Sequence, residues 1–272
     1  MRSIWFSFSK KYGSFVYEDL FIRKYIFSFL KKFNKIQRVI GSIRISRSLG
    51  NLYIKVFYYN PSKKVSFVNK KKRKTFLLNV KKKAFFWKKQ IKPINKYKKQ
   101  LLFIKVFYNL EKVLNYKIYY KFINIYNIYH LRKTDKRVQF FFSKKLRRYK
   151  RRARLVFFNV LRFMKNLFSF KQPDSQLLAN FISANLQPLH RHMSFISFVV
   201  ASLKLVCRLY KHVLGVKLII SGKLNGFSRG QTKKFQIGQV PLQTLDISKS
   251  FGFSEAFTKY GKLGVKVWIF TR

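Results

Sequence analysis

The side chains able to do chemistry fall into one abundant class and several scarce ones. Basic residues come in runs. Lys63 and Lys64 form the first, and Lys70, Lys71, Lys72, Arg73 and Lys74 the second. Lys144, Lys145, Arg147, Arg148, Arg151 and Arg152 form the third. Lys223, Arg229, Lys233 and Lys234 follow in a less charged stretch near the end. The chain holds 61 Lys+Arg against 7 Asp+Glu, a formal net charge of +54 on 272 residues. Self-repulsion on that scale opposes a compact state. Nucleic acid relieves it through regularly spaced phosphates and the release of condensed counterions. These residues are therefore the candidate RNA-binding set. An anionic membrane surface is the other acceptor of such charge.

The scarce classes exclude much catalysis. Two-metal hydrolysis needs clustered carboxylates. Glu18 and Asp19 are the only adjacent acids. They are read as the start of a helix, where acids offset the helix dipole. No glycine occurs between Gly50 and Gly215, so the middle of the chain offers no Gly-rich phosphate loop. His190, His192, Cys207 and His212 lack a Cys-x-x-Cys partner, and residues two apart point to different faces of a helix. No metal, cofactor or catalytic residue is expected, and the chain reads as a non-enzyme. A single cysteine also rules out an internal disulfide framework.

Three zones must position these groups. Residues 1–61 mix apolar and basic residues. Residues 62–170 form a basic, aromatic-rich insertion, with 16 Lys/Arg between Lys63 and Lys99 and no acid from Leu20 to Leu110. Like-charge blocks of this density stay extended until neutralised. The interleaved aromatics, Trp87 and Tyr97 among them, suit stacking on unpaired bases or small local cores. Residues 171–272 have the glycines and prolines of an ordinary domain.

The first zone predicts a helix over Glu18–Phe33, with Leu20, Phe21, Tyr25, Phe29 and Phe33 inward, then a hairpin of Ser42–Ser48 and Leu52–Tyr58. In the last zone Pro173-Asp174 is a helix-start signal. A helix follows through Leu177–Leu186, and a second through Ser194–Val213 with Gly215 as its cap. Strands are predicted at Val216–Ser221, Thr232–Ile237, Val240–Leu245 and Val265–Phe270, with a short helix near Ser254–Tyr260. The fold class is α+β. No run of about 20 apolar residues suggests a membrane span, and no secretory signal is visible.

The C-terminal zone resembles the C-terminal domain of the family of the third protein of the small ribosomal subunit. Ser221-Gly222-Lys223-Leu224, Gly238 through Leu245, and Tyr260 through Ile269 carry the likeness. The helix entry Gln172-Pro173-Asp174-Ser175-Gln176-Leu177 and the N-terminal stretches Glu18–Ile26 and Ile43–Pro61 add to it. The resemblance implies a type II KH domain, then an α/β domain of two helices on a mixed sheet, here separated by the long basic insertion. It implies a structural role in the head of the small subunit, near the channel by which messenger RNA enters. The partners would be ribosomal RNA, messenger RNA and neighbouring small-subunit proteins. The KH loop Gly-x-x-Gly should follow Pro61, yet no glycine is there, so the KH domain is degenerate. Its third strand is expected at Leu167–Phe170. The basic cluster that the family uses to unwind messenger RNA aligns with Ile196, Ser197 and Val200, so that activity is not carried over. Over-use of Lys, Phe, Ile, Tyr and Asn, whose codons are rich in A and T, points to an organelle-encoded protein, in a mitochondrial ribosome before a plastid one. The competing readings are an intron maturase or similar RNA-processing factor, and a membrane-surface protein.

Overall fold

The computed structural model describes residues 3–4, 9–32, 39–48, 51–59, 106–124, 151–227, 229–244 and 246–272. The basic residues Lys63 to Lys74 and Lys144 to Arg148 lie outside them.

The N-terminal unit is a helix-covered mixed sheet. Strand β1 (Ser3–Ile4) pairs parallel with β2 (Val39–Ser48), which runs antiparallel to β3 (Asn51–Tyr59). Strand β3 then pairs parallel with β4 (Lys117–Asn124). Helix α1 (Ser9–Lys32) lies on one face, joined by helical residues 106–114, here α2. Ile22 and Ile26 are one turn apart on α1, so both reach Ile45, Leu52 and Ile54 of the sheet. Phe107 and Leu110 of α2 complete this core. Each such buried side chain contributes roughly 1.5–3 kcal/mol relative to exposure.

The C-terminal unit packs three helices on one face of a four-stranded sheet. They are α3 (Arg151–Phe168), α4 (Ser175–Leu186) and α5 (His192–Leu209). The strands are β5 (Val213–Gly222), β6 (Gln231–Gly238), β7 (Ser248–Thr258) and β8 (Gly261–Thr271), in the order β6-β5-β8-β7. Alternation on β5 and β8 turns Val216, Leu218, Ile220, Val265, Val267 and Ile269 into the core. Phe163 of α3 stacks on Phe181 of α4 with centroids 3.8 Å apart, and Tyr59 of β3 meets Phe163 edge-on at 4.8 Å. One core thus draws on all three sequence zones.

Asp174 forms the joint between the units. Its carboxylate accepts the Gln176 N–H, capping α4, and also accepts the Ser42 N–H at 2.7 Å from an irregularity in β2. Asn180 donates to the Ile40 carbonyl at 2.6 Å. A side chain at position 41 would put its Cβ 2.5 Å from an Asp174 carboxylate oxygen, so this approach requires Gly41.

Several sequence expectations are corrected. Leu167 and Phe168 are wholly buried at the end of α3, and the strand beside β3 is Lys117–Asn124 instead. Residues 106–124 and 151–170 of the presumed insertion therefore belong to the folded units. The C-terminal sheet is antiparallel at every pairing rather than mixed. The segment expected as a helix at Ser254–Tyr260 lies mostly in β7. Residues 240–244, expected as a strand, form an irregular crossing, where Pro241 has no N–H to give a ladder. Helix α5 ends at Leu209, and Gly215 instead sits where β5 nears the Gln239 backbone; a Cβ there would lie 2.2 Å from the Gln239 carbonyl oxygen. On α1, Leu20 and Phe21 face outward while Ile22 and Ile26 are buried. By length and composition α5 could cross a membrane, yet Phe195, Phe198, Val199 and Leu203 bind it into the core.

Candidate nucleic-acid interface

Most carboxylates of the described residues are engaged in hydrogen bonds or ion pairs. Glu18 and Asp19 sit in the middle of α1 (Ser9–Lys32), not at its N-terminus. They grip the Arg47 guanidinium at 2.6 and 2.8 Å from the sheet. Asp19 is 2% exposed and also takes the Ser3 hydroxyl and Arg23. Burial works against the charge on Arg47, but the hydrogen bonds and charges of Asp19 and Glu18 outweigh it and raise its pKa. Glu111 accepts the Ile118 N–H at 2.9 Å, and Glu255 pairs with Lys262. Among the described residues no three His, Cys, Asp or Glu side chains gather.

The histidines and the cysteine are dispersed. His192 is buried and exchanges hydrogen bonds with Asn225, and His212 bonds the Phe170 carbonyl at 2.9 Å. Burial pushes the Cys207 thiol up to about 11, away from the thiolate a metal would need.

The basic residues take several positions. Lys223 follows β5, and Arg229 lies in the connection before β6. Lys233 and Lys234 are exposed neighbours on the edge strand β6 and point to opposite faces. Arg151 and Arg152 open α3. The four C-terminal candidates thus cluster around the β5–β6 hairpin without forming one surface. Ile196 is buried in the core of α5.

Sequence reasoning missed a second basic locus at the joint between units. A cleft of about 550 Å³ is lined by Arg23, Lys24, Phe27, Arg44, Lys249 and Phe251, among others. Arg44 stands 4.6 Å over the Phe57 ring. The signal was present in the alternation of β2, where Arg44 and Ser46 share the face opposite Ile43 and Ile45. Guanidinium and ammonium groups beside an exposed ring suit a phosphate backbone with an adjacent base.

Residues 187–269 match the family described as ribosomal protein S3, C-terminal domain. The C-terminal unit is therefore similar to the C-terminal domain of ribosomal protein S3. The small ribosomal subunit protein uS3 of Leptospira biflexa is 38% identical over 108 residues, covering 39% of this chain and 46% of its own. That of Clostridium beijerinckii is 41% identical over 100 residues, covering 36% and 42%. The chain thus matches under half the length of these relatives. The S3 segment spans α5 and β5 through most of β8, so the family likeness rests on the antiparallel sheet and one helix beneath it.

Proposed function

We propose that this chain is a structural constituent of the small ribosomal subunit that binds ribosomal RNA and neighbouring proteins without catalysis. The observation that carries the reading is an S3-type sheet unit within a chain of net charge +54. The N-terminal unit acts as a degenerate type II KH domain. The order α1, β2, β3, α2, β4, with β3 parallel to β4, supports this, and the long insertion replaces the Gly-x-x-Gly loop. The protein sits in the subunit head beside the channel by which messenger RNA enters. Its A/T-coded composition favours a mitochondrial ribosome. Lys223, Arg229, Lys233 and Lys234, with the basic runs of the insertion, contact phosphates.

Sedimentation of tagged protein from organelle lysate tests this reading. It is expected to travel with small-subunit RNA through a salt wash. Sedimentation with lipid, or free at the top of the gradient, would refute it. Binding of the purified protein to that RNA should fall about 10³–10⁵-fold between roughly 50 and 200 mM salt if six to ten phosphates are engaged.

A further inference from the structure

The outer face of the C-terminal sheet reverses the usual pattern. An antiparallel sheet with one solvated side ordinarily turns apolar residues inward and polar residues outward. On β7 the inward residues Gly252 and Ala256 are small, while the outward Phe251, Phe253 and Phe257 are 54, 42 and 60% exposed. The three helices occupy the other face.

Strand register carries this pattern across the sheet. Phe251 lies opposite Trp268, which lies opposite Lys217. Phe253 lies opposite Lys266, followed by Ile219 and Lys234 on β5 and β6. Phe257 lies opposite Lys262. Rings and ammonium groups are close, with Lys217 at 5.7 Å from the Trp268 ring and Lys262 at 5.0 Å from the Phe257 ring. Between the Lys266 and Lys262 rows runs a strip of short residues, Thr232, Ser221 and Gly264. A Cβ at 264 would meet the Ser221 hydroxyl oxygen at 3.0 Å, so glycine keeps this strip low. Glu255 is the one acid among the described residues of the face, and Lys262 partners it at 3.6 Å.

Exposed aromatics alone would suit a protein or a nucleic acid. The lysines decide between them. Protein interfaces are depleted in lysine, whereas sites for single-stranded nucleic acid combine lysines with aromatic platforms. Outward residues two apart on β7 stand about 7 Å apart along the strand, which leaves room for one base on each ring. We propose that this face binds single-stranded RNA, with unpaired bases stacked on Phe251, Phe253, Phe257 and Trp268. The lysines of the same rows hold the phosphates. This rests on the ribosomal-RNA reading and assigns it a surface.

The test uses the full chain with Trp5→Phe and Trp87→Phe, leaving Trp268 as the sole tryptophan. The probes are a 12-nucleotide oligoadenylate, the same strand in duplex with oligouridylate, and oligoglutamate. The single strand should quench Trp268, and the other two should not. Phe253→Leu with Phe257→Leu keeps apolar bulk but removes the rings, and should weaken single-strand binding roughly ten-fold with an unchanged salt slope. Lys266→Gln should lower the salt slope. An unchanged urea midpoint checks that these exposed substitutions leave the fold intact. Quenching by oligoglutamate would overturn the proposal in favour of an acidic protein partner. Undiminished affinity in the leucine pair would also overturn it, while co-sedimentation with the subunit would leave the ribosomal reading standing. Loss of both RNA binding and co-sedimentation in the parent protein would remove both.

Discussion

The N-terminal unit buries an arginine with its two carboxylates, and the C-terminal unit lines up exposed phenylalanines along one strand. In the first, Arg47 with Glu18 and Asp19 ties α1 to a sheet that mixes parallel and antiparallel pairs. In the second, an all-antiparallel sheet covers a large apolar core, with Asp174 and His192 buried beside it, and turns the phenylalanines of β7 outward. A chain with seven acids uses two of them on one internal arginine. Surplus positive charge is therefore left for partners, and both units rest on apolar cores, to which the first adds the ion-paired Arg47.

The largest expected effect tests how far the C-terminal unit depends on the middle zone. Phe163, Met164, Leu167 and Phe168 of α3 are wholly buried in its core. A fragment beginning at residue 171 loses this cover and should exchange its amides like an unfolded chain. One beginning at residue 151 should retain protection in β5 and β8. In the full chain, Phe163→Ala should cost about 3–5 kcal/mol. Equal protection in both fragments would contradict the shared core.

Asp19→Ala should act on the other unit. It leaves Arg47, whose side chain is only 9% exposed, with Glu18 as its remaining ion-pair partner. Removing one partner of a buried pair costs about 3–5 kcal/mol, and the remaining Glu18 contact places this case near the lower end. Hydrogen exchange should quicken in β2 and β3 while β5 and β8 stay protected. Uniform loosening of both sheets would mean that the units do not melt separately.

Asp174→Ala removes the α4 cap and the bond to Ser42 together. About 1–2 kcal/mol is expected, with faster exchange at the Gln176 and Ser42 amides. Loss at Gln176 alone would show that the joint does not need this carboxylate.

How much of this was legible depended on whether local pattern and tertiary demand agreed. The hairpin of β2 and β3 and the Asp174 cap follow from alternation and a capping residue. The S3-like blocks around Ser221, Gly238 and Tyr260 were legible as motifs. Strand β7 was misread because its outward residues are aromatic and its inward ones small, which hides the two-residue period. Helix α3 was obscured by the basic run at its start, although Val160, Met164 and Leu167 have helical spacing. In α1, aromatics on both faces masked the true inward pair, Ile22 and Ile26. The role of Glu18 and Asp19 could not be read locally, because their partner lies 28 residues or more away on β2. The cleft at the joint likewise combines α1, β2, α4 and β7, which sequence adjacency does not reveal.

The smallest expected effect is a pH dependence confined to the C-terminal unit. His192 is wholly buried at the start of α5, edge-on to Tyr260 at 5.9 Å. Its Nδ1 accepts the Asn225 N–H at 3.2 Å, which places the ring proton on Nε2. Burial lowers its pKa; the Leu189 carbonyl pulls the other way, and the nearby His190 adds to the lowering. The unfolded chain therefore takes up the proton at a higher pH than the folded one. Stability contributed by neutral His192 is present above the ordinary histidine value of about 6.5 and declines as pH falls from there towards the lowered folded value. The urea midpoint reported by Trp268 in the single-tryptophan background should drop between pH 7.5 and pH 5. His192→Gln should flatten that slope, whereas His190→Gln, at an exposed position, should leave most of it. An equal slope in the His192 variant would assign the effect to another group.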